Sequence, residues 1–167
     1  MITIEPLIEN PFITQPELLN IWPEASAKVV HESTLKALKN EEPGLFLIKK
    51  DSEVIGLTGY FLMSDYIHVG LHWHGILQSH RGNRYSQEAM KLVMLEVKDI
   101  YPEVRFLVEH IPLTDYSHYI IDYFTNLGFE KIGPIDFFQP TGNYIQSYRI
   151  DIEQFLLNNT TSNLVKI

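Results

Sequence analysis

Near the middle of the chain, a short polar turn has the residue types and spacing that suit phosphate chemistry. It is Arg-Gly-Asn-Arg at positions 81–84, between the β-forming residues 74–77 and the amphipathic run 86–100. A strand, a glycine turn and a helix N-terminus form an anion-binding arrangement, because the first backbone N–H groups of a helix have no internal partner. The pattern predicts a phosphate or pyrophosphate site at this turn.

Side chains of the turn would strengthen such a site. Arg81 and Arg84 supply charge-assisted donors, and Ser86 supplies a hydroxyl. Gly82 allows a positive φ or a close backbone approach. An ordinary strand–helix turn with two solvated arginines would use the same residues, so the local pattern leaves both interpretations open.

Three titratable residues are candidates for acid–base work. His72 and His74 stand two apart in a predicted strand, which places them on one face, and Glu109 ends the next predicted strand. Imidazole titrates near neutral pH and can take a proton from an ammonium group through water. The alternative for the histidines is a structural hydrogen bond, and Glu109 could merely pair with Arg105 or His110. No third ligand accompanies the His-x-His pair, so no metal is expected.

The surrounding elements predict one α/β domain over residues 1–167, with a mixed sheet flanked by helices. The predicted order is β-α-α-β-β-β-α-β-α-β-β. A hairpin over 45–63 turns at Asp51-Ser52, and residues 66–77 form one further strand. The first two helices break at Pro23, and residues 41–44 end the second of them.

The C-terminal half is predicted to alternate between helix and strand. A helix over 86–100 is followed by a strand over 104–110. A second helix has Asp115 as its N-cap and Gly128 at its C′ position. Two strands follow, joined by the turn residues 139–142, and residues 155–167 are predicted to be a loosely held tail.

Composition narrows the classes of function. The 167 residues are 45% hydrophobic and include no Cys, so thiol catalysis and disulfides are excluded and a cytoplasmic location is expected. Neither a signal peptide nor a membrane span is predicted. The net charge of −8 disfavours nucleic acid and anionic membranes as partners, and mildly favours cationic substrates such as amines.

Three stretches resemble the GNAT superfamily of acyl-CoA-dependent N-acyltransferases. They are "ILQSHRGNRYSQEAMKL", "VRFLVEH" and "YIIDYFTNLGFEKIG", and the resemblance covers about residues 45–152. The resemblance implies a mixed α/β GNAT fold and acetyl-CoA as co-substrate. The residues that it implies for cofactor binding are Ile76, Leu77, Arg81, Gly82, Asn83, Arg84, Tyr85, Ser86 and Ser117.

Some positions depart from the family pattern. Arg84 and Ser86 occupy the two later small positions of the loop, where the family often has Gly or Ala. Phe124 stands where the family often has Tyr, with Tyr123 beside it, and Ser117 stands where an Asn often contacts the cofactor. These departures leave open a domain that binds acyl-CoA or a partner without turnover.

The resemblance implies transfer of an acetyl group to a primary amine by direct attack in a ternary complex. The pantetheine arm would lie along residues 74–77, and the backbone N–H of Ile76 would stabilise the oxyanion. His72, His74 and Glu109 are the candidate bases, and Tyr123 or Tyr119 is the candidate acid for the leaving thiolate. The acceptor is expected to be a small molecule or a peptide, and exposed strand edges would allow a homodimer.

Overall fold

The computed structural model describes residues 1–22, 27–40, 44–139 and 142–165, with side chains as far as residue 159 at the C-terminal end. Within these residues the fold is mixed α/β, which confirms the predicted class. The strands are β1 (Ile2–Pro6), β2 (Leu45–Lys50), β3 (Glu53–Leu62), β4 (His68–Leu71), β5 (Gly75–Ile76), β6 (Phe106–Pro112), β7 (Glu130–Phe138) and β8 (Asn143–Asp151). The α-helices are α1 (Ala27–Lys39), α2 (Tyr85–Ile100), α3 (Ser117–Asn126) and α4 (Ile152–Val165). Short 3-10 helices cover Pro16–Asn20 and Gln78–His80.

The chain forms two compact units, and the first contains the predicted phosphate turn. It comprises Met1–Phe61 and Leu71–Val93. Strands β1, β2 and β3 pair antiparallel in sequence order, and β5 pairs antiparallel with β3. The hairpin of β2 and β3 turns at Asp51, which has a φ of +57°, so the predicted turn is confirmed.

Apolar side chains of the first unit form two buried clusters. The first joins the N-terminal segment, α1 and β3, and contains Phe12, Leu18, Ile21, Trp22, Val30 and Leu57. The second joins the sheet to the first turns of α2, and contains Ile2, Ile48, Ile55, Ile76 and Ala89. These clusters fix β5 and the start of α2, the two elements that flank the predicted phosphate turn.

A glycine is required at position 75 because the first cluster packs directly on it. A Cβ atom there would collide with the side chain of Ile21 and would lie 3.0 Å from Nε1 of Trp22. The space beside the α-carbon of Gly75 is therefore filled by the side chains of Ile21 and Trp22.

We expect Gly75→Ala to lower the free energy of unfolding by about 1–3 kcal/mol, because an added methyl group overpacks this contact. Urea unfolding at neutral pH measures the loss. Ser79→Ala, at an exposed position four residues later, is the control and should change stability by less than about 0.5 kcal/mol. Equal stability of the two variants would contradict the packing.

The second unit contains the other half of the sheet strands. It comprises Leu62–Gly70 and Met94–Ile167. Strand β4 pairs parallel with β6, and β6, β8 and β7 pair antiparallel in that order. The register of β7 shifts between Ile132 and Asp136, and the buried Gln146 side chain donates to the carbonyls of Ile132 and Gly133 at this irregularity. The buried amide therefore satisfies carbonyl groups that the ladder leaves out.

The strand predicted over 66–77 is wrong as a continuous element. It divides into β4 and β5, and residues 72–74 belong to neither. Trp73 at the break has a φ of +38°, which a bulky residue rarely adopts. His72 and His74 therefore do not share one face of a strand, as their spacing predicted.

The ends of α3 differ in how well they were predicted. Asp115 is not the N-cap, because α3 begins at Ser117 after the cap residue Tyr116. The Ser117 hydroxyl donates to the carbonyl of Thr114 at 2.8 Å. Gly128 has a φ of +102° just past the end of the helix, so the predicted C′ glycine is confirmed.

The predicted loose tail over 155–167 is wrong as far as Val165, because these residues continue α4. Ile152 and Phe155 are buried and attach the helix to its unit. The first predicted helix is a 3-10 segment rather than an α-helix. The predicted break at Pro23 and most of the stop at 41–44 lie outside the described residues, as do positions 140 and 141 of the last turn. Within the described residues, no helix is long and apolar enough to cross a membrane.

Candidate active site

The turn at 81–84 has a left-handed backbone on both sides of Asn83. Gly82 has a φ of +85° with open space around its α-carbon, and Arg84 has a φ of +63°. Helix α2 begins at Tyr85, and the carbonyl of Arg84 accepts the backbone N–H of Glu88. The predicted sequence of glycine turn and helix N-terminus is therefore present. Arg84 holds, at some conformational cost, a geometry that glycine adopts freely.

The side chains of Arg81 and Asn83 stabilise this turn. Nε of Arg81 donates to the carbonyl of Ile76 at 2.9 Å, and its terminal nitrogen donates to the carbonyl of Ile21 at 2.8 Å. The Asn83 amide donates back to the carbonyls of His80 and Arg81. Arg81 thus ties the turn to β5 and to the N-terminal segment, a contact that the sequence pattern did not reveal.

The backbone of β5 presents one edge away from β3. The N–H of Leu77 donates to the carbonyl of Ile55 on β3 at 2.8 Å. Because N–H groups alternate in direction along an antiparallel strand, the N–H of Ile76 faces the other way. This is the orientation that an oxyanion donor at Ile76 needs.

His74 is held through both ring nitrogens. Nδ1 lies 2.8 Å from Oγ1 of Thr58 on β3, and Nε2 lies 2.7 Å from Oγ of Ser86 in the first turn of α2. Burial lowers the pKa of His74 to about 4, and a hydrogen bond to the backbone of Ser86 partly opposes the shift. The ring is therefore neutral at physiological pH.

Thr58 was missed in the sequence. A threonine within the apolar run of β3 is 1% exposed, and a buried hydroxyl needs a partner. The sequence therefore indicates a buried hydroxyl that needs a hydrogen-bond partner, but it does not identify His74 as that partner.

His72 has a different environment from His74. Its Nε2 is buried and has no hydrogen-bond partner within the described part of the chain. The rings of Phe61 and Trp73 stand edge-on to it, with centroids 6.2 and 6.1 Å away. Burial lowers the pKa of His72 to about 4, and no charged group contributes to the shift. A buried ring nitrogen without a partner is costly, and such atoms call for a functional explanation.

Trp73 fixes the strained segment between the two histidines. Its Nε1 donates to Oγ of Ser33 on α1 at 2.7 Å, and its ring lies against Trp22 with centroids 5.1 Å apart. The indole N–H of Trp22 donates in turn to the carbonyl of His74. Strain of this kind is retained where surrounding contacts impose it, often at functional sites.

The remaining predicted site residues lie in the second unit. Glu109 is partly buried on β6 and stands opposite Tyr148 of β8 in the ladder. Ser117 begins α3, and Tyr123 lies on the same helix with 37% of its side chain exposed. The proposed pairing partner Arg105 forms its ion pair with Asp151 instead.

Two aromatic residues of α3 bear on the family pattern. Phe124 is buried against Phe129, with ring centroids 5.0 Å apart. Tyr119, the other candidate acid, is 69% exposed and therefore does not belong to the core of its unit. Tyr123 is more exposed than Phe124, but its ring packs edge-on against Phe124, with centroids 5.1 Å apart.

A cavity of about 360 Å³ lies in the first unit beside the residues that lead into the turn. Its lining is mostly polar and consists of Gln15, Glu17, Asn20, Ile21, Glu53, Leu77, Gln78, Ser79 and His80. His80 and Glu53 form an ion pair across 3.4 Å. Within the described residues, no group of three or more His, Asp or Glu side chains is placed to hold a metal ion.

Comparison with known proteins gives no sequence relative but many structural ones. No family model matches the chain, and no curated protein matches it. A variant of spermidine N-acetyltransferase SpeG from Vibrio cholerae is similar in structure, with a TM-score of 0.66, 13% identity, and coverage of 95% of this chain and 98% of that one. A GNAT-family acetyltransferase from Elizabethkingia anophelis with acetyl-CoA bound has a TM-score of 0.63 and 16% identity, covering 90% and 97%.

An aminoglycoside 6′-N-acetyltransferase complexed with coenzyme A is also similar, with a TM-score of 0.61, 14% identity, and coverage of 90% and 97%. Identities this low carry the fold and not the substrate. The neighbours agree in one architecture over nearly the whole of both chains. The protein therefore has the fold of the GNAT acetyltransferases.

Proposed function

We propose that the protein transfers an acetyl group from acetyl-CoA to the primary amine of a small molecule or peptide, by direct attack in a ternary complex. The observation that carries the proposal is the left-handed turn of Gly82 and Arg84 immediately before the N-terminus of α2. Such a turn suits a pyrophosphate, and the chain has the fold in which acetyl-CoA is used.

Cofactor binding would rest mainly on the backbone and on Arg84. Backbone N–H groups at the start of α2 supply donors, and the exposed Arg84 guanidinium supplies charge. Arg81 and Asn83 act by fixing the turn through their contacts with backbone carbonyls. Tyr85 lies beneath the ammonium group of Lys50, 5.7 Å from its ring centroid, which adds a second cation at this end of α2.

The thioester would lie along β5. Backbone groups of Ile76 face away from β3, so the N–H of Ile76 can donate to the oxyanion that develops on the thioester carbonyl. Leu77 follows β5 and remains a proposed cofactor contact, but its N–H donates to β3 and its side chain packs on the first apolar cluster. In the second unit, Ser117 remains a proposed cofactor contact at the start of α3.

The acceptor must reach the thioester as a neutral amine, so a base is needed. His72 and Glu109 are the proposed candidates, since His74 has both nitrogens engaged. The ring of His72 is neutral at physiological pH, and its unpartnered Nε2 accepts a hydrogen bond in the tautomer that carries the hydrogen on Nδ1. The hydroxyl of Tyr123, a residue that is 37% exposed, is the proposed acid for the leaving thiolate.

The acceptor class is supported by charge. The structural neighbours include acetyltransferases named for spermidine and aminoglycosides, both of which carry several amines. A net charge of −8 attracts such cations. We further propose a cytoplasmic protein, and a homodimer formed through exposed strand residues such as Ile135 and Phe137 of β7.

A second candidate function is binding of acyl-CoA without turnover. Two observations favour it. Arg84 imposes a charged side chain where the family often has glycine, and the buried Phe124 supplies no hydroxyl at the family's tyrosine position. Consumption of thioester in the presence of amines distinguishes the enzyme from the binding module.

Titration calorimetry with acetyl-CoA and with free CoA tests the proposal. We expect binding in the micromolar range, weakened more than about tenfold in Gly82→Val, because a β-branched residue cannot hold a φ of +85° without strain. Gly133→Val is the matched control, since Gly133 also has a positive φ and open space but lies on β7.

Each outcome of the titration has a definite meaning. Binding followed by loss of thioester when amines are added supports the enzyme. Binding without turnover supports the second candidate. If the wild-type protein binds neither acetyl-CoA nor free CoA, both candidate functions are wrong.

A further inference from the structure

The ring of His72 lies between two other aromatic rings. Phe61 and Trp73 stand edge-on to it, with centroids 6.2 and 6.1 Å away. Within the described part of the chain, the buried Nε2 of His72 has no hydrogen-bond partner. No hydrogen bond at Nε2 therefore fixes the orientation of the ring, which depends on packing against its two neighbours. Whatever fixes the indole of Trp73 also fixes one side of His72.

The indole of Trp73 is fixed by α1 through two hydrogen bonds whose directions are certain. An indole N–H can only donate, so Oγ of Ser33 accepts the hydrogen bond from Nε1 of Trp73 at 2.7 Å. A carbonyl can only accept, so the Ser33 hydroxyl donates to the carbonyl of Val30 at 3.2 Å. The hydroxyl of Ser33 is thus acceptor and donor at once, and an alanine side chain can be neither.

The backbone of Trp73 depends on such support. Its φ of +38° is strained for a bulky residue, and strain of this kind persists only where surrounding contacts impose it. Trp22 holds the segment from one side, because its ring packs on that of Trp73 and its indole N–H donates to the carbonyl of His74. Ser33 holds the segment from α1. Loss of the Ser33 hydroxyl would leave a partly buried indole N–H without its acceptor and would allow Trp73 to relax.

We propose that Ser33 is a positioning residue, which holds the ring of His72, through the indole of Trp73, where it can take the proton of the acceptor amine. The inference rests on the proposed function, with His72 as the base. The proton passes from the ammonium group of the acceptor to a ring nitrogen of His72, which leaves a neutral amine to attack the thioester. Ser33 takes no part in this transfer and acts only through Trp73.

Two substitutions at position 33 separate positioning from a role in helix stability. Ser33→Ala removes the acceptor, and alanine is the better helix former, so a loss of activity would not come from helix propensity. Ser33→Thr keeps the hydroxyl, which in a helix can bond a carbonyl one turn earlier as Ser33 does, and it should retain function. Trp73→Phe removes the indole N–H, so adding Ser33→Ala to it should cause no further loss.

We expect Ser33→Ala to lower kcat about tenfold or more while acetyl-CoA affinity stays within about twofold, because a displaced base slows the chemical step and not cofactor binding. Steady-state kinetics with the best amine acceptor and calorimetry with acetyl-CoA provide the two numbers. Ser33→Thr should keep kcat within about threefold of the wild-type value. Ser52→Ala, at an exposed position in the β2–β3 turn, is the control and should retain full activity.

NMR spectroscopy as a function of pH observes the ring of His72 directly. Burial lowers the pKa of His72 to about 4, so its ring signals should not titrate between pH 5 and 8 in the wild-type protein. In Ser33→Ala, a loosened ring admits water, so the pKa should rise toward the ordinary value of 6.5 and the signals should begin to titrate. The signals of His74, which contacts Thr58 and Ser86 instead, should not change.

Three results would overturn the positioning role. They are His72 signals that do not change in Ser33→Ala, wild-type turnover in Ser33→Ala, and equal losses of turnover in Ser33→Ala and Ser33→Thr. Circular dichroism melting checks that each variant folds, and Trp73→Phe provides the same comparison if Ser33→Ala does not fold. A wild-type protein that consumes no thioester in the presence of amines would instead overturn the proposed function.

Discussion

The protein should lose about 2 kcal/mol of stability through each of two partly buried histidines, His72 and His74, when the pH falls from 7.5 to 5. Burial lowers the pKa values of His72 and His74 from 6.5 to about 4 in the folded state. Between these values the unfolded chain takes up protons that the folded chain refuses, so stability falls as pH falls. Each pH unit within the window corresponds to about 1.4 kcal/mol for each group.

The direction of the stability change and the pH range over which it occurs both follow from the pKa values of the two histidines. Well above pH 6.5 neither the folded nor the unfolded chain binds these protons, so the full stability is present, and below pH 4 the loss levels off. Asp65 acts in a lower window, because backbone hydrogen bonds from Ile67 and His68 lower its pKa from 3.8 to about 2. Its contribution is lost only as the pH falls from about 3.8 to 2, so the two effects do not overlap.

Urea unfolding at pH 7.5 and pH 5 measures the effect. His72→Gln should remove about 2 kcal/mol of the difference between the two pH values, and His74 and His110, whose pKa burial also lowers, account for the remainder. His118→Gln, at an exposed position on α3, controls for the change in charge and should preserve the difference. A wild-type protein equally stable at both pH values would show that the two rings are not buried as neutral groups.

Local patterns predicted the elements that local interactions determine. The β2–β3 hairpin follows from the Asp51-Ser52 turn pair between two apolar runs, and Gly128 ends α3 because glycine adopts a positive φ at low cost. The break between β4 and β5 could not be predicted in this way. Its residues are β-formers. The strained backbone conformation of Trp73 is held by contacts with Ser33 and Trp22, which are distant in sequence.

Helix α4 was also missed because tertiary contacts, and not local propensity, determine it. Residues 152–165 contain several Asn, Thr and Ser residues, which are poor helix formers, so propensity predicted no helix. Burial of Ile152 and Phe155 overrides that propensity. In the candidate site, the turn at 81–84 was predictable because glycine and arginine have distinctive roles. The bond from His74 to Thr58 depends on tertiary contacts and was not.

We expect Glu109→Gln to lower turnover by about 100-fold or more without changing acetyl-CoA affinity, because removal of a positioned base typically costs about 10²–10⁴ in rate. Steady-state kinetics with the best amine acceptor, together with calorimetry, provides both numbers. Glu103→Gln, an exposed residue just before β6, is the control and should retain full activity. Unchanged turnover in Glu109→Gln would transfer the role to His72, the other proposed base.

The pH dependence of kcat/KM then tests His72 independently. An acceptor amine is mostly protonated at neutral pH, so log kcat/KM should rise with a slope of 1 as pH increases. His72 must be neutral to accept the amine proton, and its pKa is about 4, so it should add no second bend to the pH profile above pH 5. Circular dichroism checks that the protein is folded over this pH range. An additional acid limb near pH 6.5 that disappears in His72→Gln would mean that the ring titrates as a solvated base. A limb that survives in His72→Gln and disappears in Glu109→Gln would assign the proton transfer to Glu109.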